Sequence, residues 1–303
     1  MTTRLAPAPY ARPLGPIAAA GWSAAFLLVF AVAIAILSSV RPGSEYDDVN
    51  GALLDAASVL CVVYAIARFH APSTTVRELV GARPLGFFSA LAAALMGAAA
   101  VVPIGALQEL IGRRFPQPES RATEVTHALA GLGRNERMMG VIAALVVVPI
   151  VDELLFRGAL ATGVAKDRGR WVALVTTALT FGVIYSIGDF HHIPVYVALG
   201  LMLGLARFAT GTVLASIGAH LAWRGADLAR DARVAGTIDP LVTATYPYPP
   251  YTLPVIAAGT AATLLFALIL LRLGRNQDRD GDERQPPGPK AAPASSGDGE
   301  DDA

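Results

Sequence analysis

Apolar runs separated by short polar stretches recur along this chain from residue 17 to residue 271. Crossing about 30 Å of hydrocarbon takes roughly 17 to 25 mostly apolar residues. Four stretches meet that length plainly, at 17–40, 51–69, 86–108 and 138–164. Four more follow at 171–186, 193–208, 212–228 and 252–271, and three of these are short enough to need protein neighbours or local bilayer thinning. The pattern predicts an all-α fold, a polytopic transmembrane helical bundle of about eight spans. The spans are rich in Ala and Gly, which lets helix backbones approach closely where lipid, not water, is the solvent.

The polar stretches divide the chain further. Residues 1–16 form a polar N-terminal segment rich in proline, and the apolar run after them exceeds a signal-peptide core, so it reads as a retained first span. Residues 17–137 carry the N-terminal spans and a loop, 138–230 a central group of spans, and 231–274 a loop and the last span. From Arg275 to residue 303 the chain turns to Asp, Arg, Gly, Pro and Ser without apolar periodicity, which predicts a disordered tail.

Composition agrees with a membrane solvent: 54% of the 303 residues are hydrophobic and 16% charged. The formal net charge is zero and the cations are scattered, which argues against a nucleic-acid partner and leaves the lipid bilayer as the first one. Cys61 is the single cysteine, so neither a disulfide framework nor a thiolate metal site can be built. Arg4, Arg12, Arg68, Arg77, Arg83, Lys166, Arg168, Arg170, Arg207, Arg272 and Arg275 fall in alternate connections. By the positive-inside rule that side is cytoplasmic, which puts both termini in the cytoplasm of a cell (inner) membrane protein. The arginine-bearing loop 109–137 falls on the other side and runs against the rule.

Chemistry concentrates in the fourth span, where Asp152, Glu153 and Arg157 stand in apolar surroundings. Each costs about 2.5 to 3.5 kcal/mol to insert, so something must offset them. Glu153 and Arg157 are four apart and share a helical face, whereas Asp152 is turned about 100° from Glu153 and needs another partner. Counted from the turn at 166–170 at 1.5 Å per residue, Asp152 lies about 21 Å deep and Tyr185 about 22 Å. His220 and Arg224, also four apart, lie about 14 to 20 Å from the turn at 209–211. A carboxylate, a phenol, an imidazole and a guanidinium can therefore converge. Asp189, His191 and His192 fit a solvated loop better than a metal site, and His70 and His127 read as polar-loop residues near span ends.

The order Asp152-Glu153-x-x-x-Arg157, Phe181-x-x-x-Tyr185, His220-x-x-x-Arg224 on successive spans resembles the CPBP family of intramembrane proteases. That family includes the type II CAAX prenyl endopeptidases and bacteriocin-processing or self-immunity proteins. Its pattern is Glu-Glu-x-x-x-Arg, Phe-x-x-x-His, His-x-x-x-Asn, and the likeness covers about residues 138–228, making 138–230 a CPBP-like catalytic core. The resemblance implies a peptide hydrolase for a membrane-associated peptide or protein substrate. Asp152, with Glu153, would activate water; Arg157 would hold Glu153; His220, Tyr185 and Arg224 would donate to the oxyanion.

Three departures bear on catalysis. Asp152 is a methylene shorter than the family Glu, a retreat of about 1 Å that can lower a rate about a hundredfold. Tyr185 replaces a His and cannot act as a neutral-pH base, and Arg224 replaces an Asn and can neutralise Asp152. No cofactor is implied with certainty: a divalent metal such as zinc wants three or four ligands, and His220 alone is too few. Two alternatives stay open, a catalytically inactive pseudoprotease that binds membrane peptides or a partner protein, and a small membrane transporter, against which the lack of an internal repeat counts.

Overall fold

The computed structural model describes residues 13–42, 48–116, 134–234 and 251–283, and every regular element among them is a helix. The elements are α1 (Pro16–Val40), α2 (Asp48–His70), the single turn α3 (Val76–Leu79), α4 (Phe87–Arg114), α5 (134–168), α6 (Arg170–Tyr185), α7 (Ile193–Thr210), α8 (Val213–Val234) and α9 (Leu253–Glu283). Each of the predicted apolar runs is helical. Six helical stretches among the described residues are long and apolar enough to cross a membrane; α6 is shorter, with 16 residues, and α8 carries Arg224, Asp227 and Arg230. The chain is an integral membrane protein.

Local chemistry sets the boundaries. Pro16 opens α1 and Pro194 lies in the first turn of α7, where a missing N–H costs nothing. Gly169 (φ 85°) and Gly211 (φ 71°) end α5 and α7 in the left-handed region, which lets the chain reverse at once into α6 and α8. Thr75 and Glu78 close α3 with a reciprocal capping box. The last helix continues to Glu283, past the Arg275 at which the sequence predicts a disordered tail. A helix already nucleated in the membrane gains one hydrogen bond per residue as it propagates, and polar residues alone do not stop it. The remainder of that tail, Arg4, Arg12 and His127 lie outside the described residues.

Helix packing runs through small residues. A Cβ on Gly97 of α4 would collide with the backbone carbonyl of Ala219 in α8, one on Gly259 of α9 would meet Val102 of α4, and one on Gly204 of α7 would meet Leu174 of α6. α4 thus lies between α8 and α9, and α6 against α7, while α1 and α9 keep most of their surface toward lipid.

The fourth predicted span departs from a plain α-helix. Within 134–168, Ala143–Val147 and Leu154–Leu160 are π-helical and bracket the α segment Val148–Glu153. Pro149 has no N–H to give, and Val148 bonds instead to the carbonyl of Ala143, five residues back. Such insertions are frequent at functional sites, and here they flank the two acids.

Candidate functional site

α5 turns Asp152, Glu153 and Arg157 into the bundle, where each is at most 1% exposed. Arg157 Nη1 donates to Glu153 Oε1 at 3.2 Å, as the four-residue spacing predicts, and Nη2 donates to the Gly200 carbonyl of α7 at 3.1 Å. The guanidinium also lies 4.3 Å from the centre of the Phe181 ring, so a π face takes part of the charge that water would otherwise solvate. Gly200 permits this geometry: a Cβ there would stand 3.1 Å from Arg157 Nη2 and 2.9 Å from Ala178 Cα.

His220, 1% exposed on α8, places Nδ1 3.1 Å from the same Glu153 Oε1. A carboxylate only accepts, so Nδ1–H donates and Nε2 is left for another group. Glu153 Oε2 has no hydrogen-bond partner among the described residues. The sequence reading gave His220 the part of an oxyanion donor and no protein partner; the structure bonds its Nδ1 to Glu153.

Asp152 faces a different set of groups. Tyr185 Oη donates to Asp152 Oδ1 across the α5–α6 interface, as their equal depths predict. Oδ2 is buried without a partner among the described residues. Arg224 acts on Asp152, Tyr185 and His220 through its charge, its guanidinium 5.2 Å from the Trp223 ring, but no ion pair joins it to a carboxylate among the described residues. The expected convergence of Asp152, Tyr185, His220 and Arg224 is thus divided between two clusters: Glu153 with Arg157 and His220, and Asp152 with Tyr185, with Arg224 acting on both through its charge.

Two residues were missed by the sequence reading. Asp55 of α2, 8% exposed, lies within electrostatic reach of Asp152 and Tyr185. Its signal was a lone acid inside the apolar run 51–69, an arrangement that marks intramembrane function on its own. Arg207, grouped with the loop cations, is 7% exposed; its Nε donates to the Arg157 carbonyl at 3.1 Å and Nη2 to Thr162 Oγ1 at 3.2 Å. It satisfies a carbonyl within the π-helical stretch, where the regular ladder is disturbed.

The polar turn after α6 is ordered by its own side chains. His191 and His192 each bring Nδ1 to Asp189, at 3.2 and 2.8 Å, and Phe115 at the end of α4 stacks on His191 with ring centres 3.9 Å apart. Burial opposes the Asp189 charge, but the histidine contacts outweigh it and hold the carboxyl below its ordinary range. His70 is a buried acceptor, not a loop residue: Trp22 Nε1 donates to its Nε2 at 2.9 Å and ties α1 to α2. Among the described residues no three His, Cys, Asp or Glu side chains are grouped to hold a metal ion. A cavity of about 380 Å³ between α4 and the start of α9, lined by Pro103, Leu107, Glu109, Arg113 and Tyr251, is apart from these clusters.

No curated protein and no solved structure matches the chain. A family model, Type II CAAX prenyl endopeptidase Rce1-like, matches residues 134–226, under half of the chain. That stretch contains Asp152, Glu153, Arg157, Tyr185, His220 and Arg224, so in family-model match as in motif order the helices bearing the buried carboxylates resemble the type II CAAX prenyl endopeptidase Rce1-like family.

Proposed function

We propose that this chain is an intramembrane endopeptidase of the CPBP and CAAX-protease type, hydrolysing a peptide bond of a membrane-associated substrate with a carboxylate-activated water. The observation that carries the reading is a buried acid, Asp152, with one oxygen held by Tyr185 and the other without a partner among the described residues, inside the segment that resembles a peptidase family. An unpartnered carboxylate oxygen in a low-dielectric site is a strong acceptor for a water proton. Glu153 orients His220 through Nδ1, leaving Nε2 to face the reacting carbonyl, where a protonated ring donates to the oxyanion supported by the Glu153 charge. Arg157 fixes Glu153, and Arg224 adds positive charge where negative charge develops.

The Tyr185–Asp152 contact also favours a second reading. A phenol bonded to the would-be base occupies one of its oxygens and suits a pseudoprotease that binds membrane peptides without cutting them.

The test is a cleavage assay of the purified full-length protein in lipid nanodiscs against a panel of membrane-tethered peptides, prenylated and not. Wild-type cleavage that is lost in Asp152→Ala, Glu153→Ala and His220→Ala at matched folded yield supports the peptidase. A folded wild type that cuts no peptide but retains them on a column supports the binding protein instead.

A further inference from the structure

The second π-helical stretch of α5, Leu154–Leu160, follows directly on Asp152 and Glu153 and contains Arg157. In an α-helix the Ala161 N–H would bond the Arg157 carbonyl, four residues back. Here it bonds the carbonyls of Phe156 and Gly158 instead. The Arg157 carbonyl accepts from Arg207 Nε of α7 at 3.1 Å, and Arg207 Nη2 donates to Thr162 Oγ1 at 3.2 Å. One guanidinium therefore grips α5 on both sides of Ala161, where the ladder skips a residue.

The surrounding elements keep room for this grip. Arg207 stands in the last turn of α7, just before the reversal at Gly211. A Cβ on Gly81, in the connection after α3, would fall 2.1 Å from Arg207 Nη2, and the Gly81 carbonyl accepts from the Val213 N–H at the start of α8 at 3.2 Å. A buried cation is costly unless its donors are used, and Arg207 uses them on α5.

A π turn takes in one more residue than an α turn, so relaxing this stretch to α would rotate the residues before it by about 100° against those after it. Beyond Leu160 the helix is held by close packing: Ala161 and Val164 are fully buried, and a Cβ on Gly163 would stand 2.3 Å from Leu14 Cδ2. The rotation would fall on Asp152 and Glu153, and it would carry Glu153 Oε1 away from His220 Nδ1, which it meets at 3.1 Å.

We propose that Arg207 is a positioning residue: by taking the Arg157 carbonyl it holds α5 in the π-helical register that turns Asp152 and Glu153 into the site. Its effect on cleavage rests on the peptidase reading, whereas its effect on the Glu153–His220 bond does not.

The experiment uses the full chain in nanodiscs with Arg207→Met and Arg207→Lys. Met fills the space and donates nothing; Lys keeps the charge, but its ammonium lacks the planar fork that meets both acceptors. In nitrogen NMR of histidine-labelled protein, the resonance of the bonded His220 Nδ1–H is assigned by its loss in His220→Gln. It should move toward the position of an unbonded imidazole in Arg207→Met and part of the way in Arg207→Lys, whereas a role in stability alone would leave it in place. For any peptide the wild type cleaves, kcat should fall by about a hundredfold in Arg207→Met and by less in Arg207→Lys, with KM unchanged. A folded variant of either kind that keeps the wild-type resonance overturns the proposal, and if Arg207→Met does not fold, Arg207→Lys decides by the same signal. A shifted resonance with the wild-type kcat also overturns it. Shifted resonances in a chain whose wild type cleaves nothing support the positioning role and overturn the peptidase reading alone.

Discussion

Arg157 is the largest fully buried side chain among the described residues, and its environment accounts for every nitrogen but one. Nη1 meets Glu153, Nη2 meets the Gly200 carbonyl, and the plane rests on Phe181. Removing one member of such a pair strands the other charge in a dry interior, at a cost of about 3 to 5 kcal/mol. Arg157→Met is therefore expected to lower thermal stability in detergent sharply, and so is Glu153→Leu. The double variant should recover most of the loss, because two apolar side chains leave no orphaned charge. Recovery that fails would mean that His220 and Gly200, not the pair, hold this part of the core. At Tyr185 the expected outcomes diverge by chemistry. Tyr185→Phe leaves Asp152 Oδ1 without its donor and should cost about 1 to 3 kcal/mol in stability. Tyr185→His restores the residue type of the resembled family and should raise the cleavage rate if Asp152 is the base.

At the scale of elements, the helices were legible because lipid enforces them: a run of apolar residues in hydrocarbon has few options other than α. All the apolar runs read from the sequence appear as helices, and the Glu153–Arg157 and Asp152–Tyr185 pairings followed from helical spacing and depth. The π-helical stretches were not legible, since the hydrophobic pattern of 138–164 is compatible with an unbroken α-helix. Nor was the choice of His220 for Glu153 over Asp152, which depends on how α8 is rotated against α5. That rotation is set by contacts such as Gly97 against Ala219, one residue before His220. Gly97→Ala is expected to push α8 away from α4 and shift His220 off Glu153, reducing both folded yield and cleavage. Gly225→Ala, on the same helix α8 where an added Cβ meets open space, is the control and should match the wild type. Equal yields for the two variants would show that α4 and α8 can separate without disturbing the site.

Across the whole molecule, three connections and two near-terminal glycines gather at one end of the bundle. Thr212 bonds to Arg83 through N–H and C=O contacts of 3.1 and 2.8 Å, Gly15 lies against Asp167, and Gly274 lies against Ala209. The turns at 81–83, 166–170 and 209–212 and the near-terminal residues Gly15 and Gly274 therefore share a face, and the positive-inside rule predicts that this face is cytoplasmic. The opposite end is reached by α6, whose 16 residues span about 24 Å and fall about 6 Å short of the hydrocarbon thickness. Asp189, His191 and His192 begin there, so either the bilayer thins at that point or water reaches into it. In a Cys61→Ser background, Arg168→Cys and Ile187→Cys place one thiol at each end of α6, both at exposed positions. A membrane-impermeant maleimide applied to intact cells should label Ile187→Cys at once and Arg168→Cys only after permeabilisation. The reverse order would invert the bundle while leaving its helices unchanged. Labelling of both from one side would mean that α6 does not cross, and that Asp152 and Tyr185 meet near a water-filled edge instead of at depth.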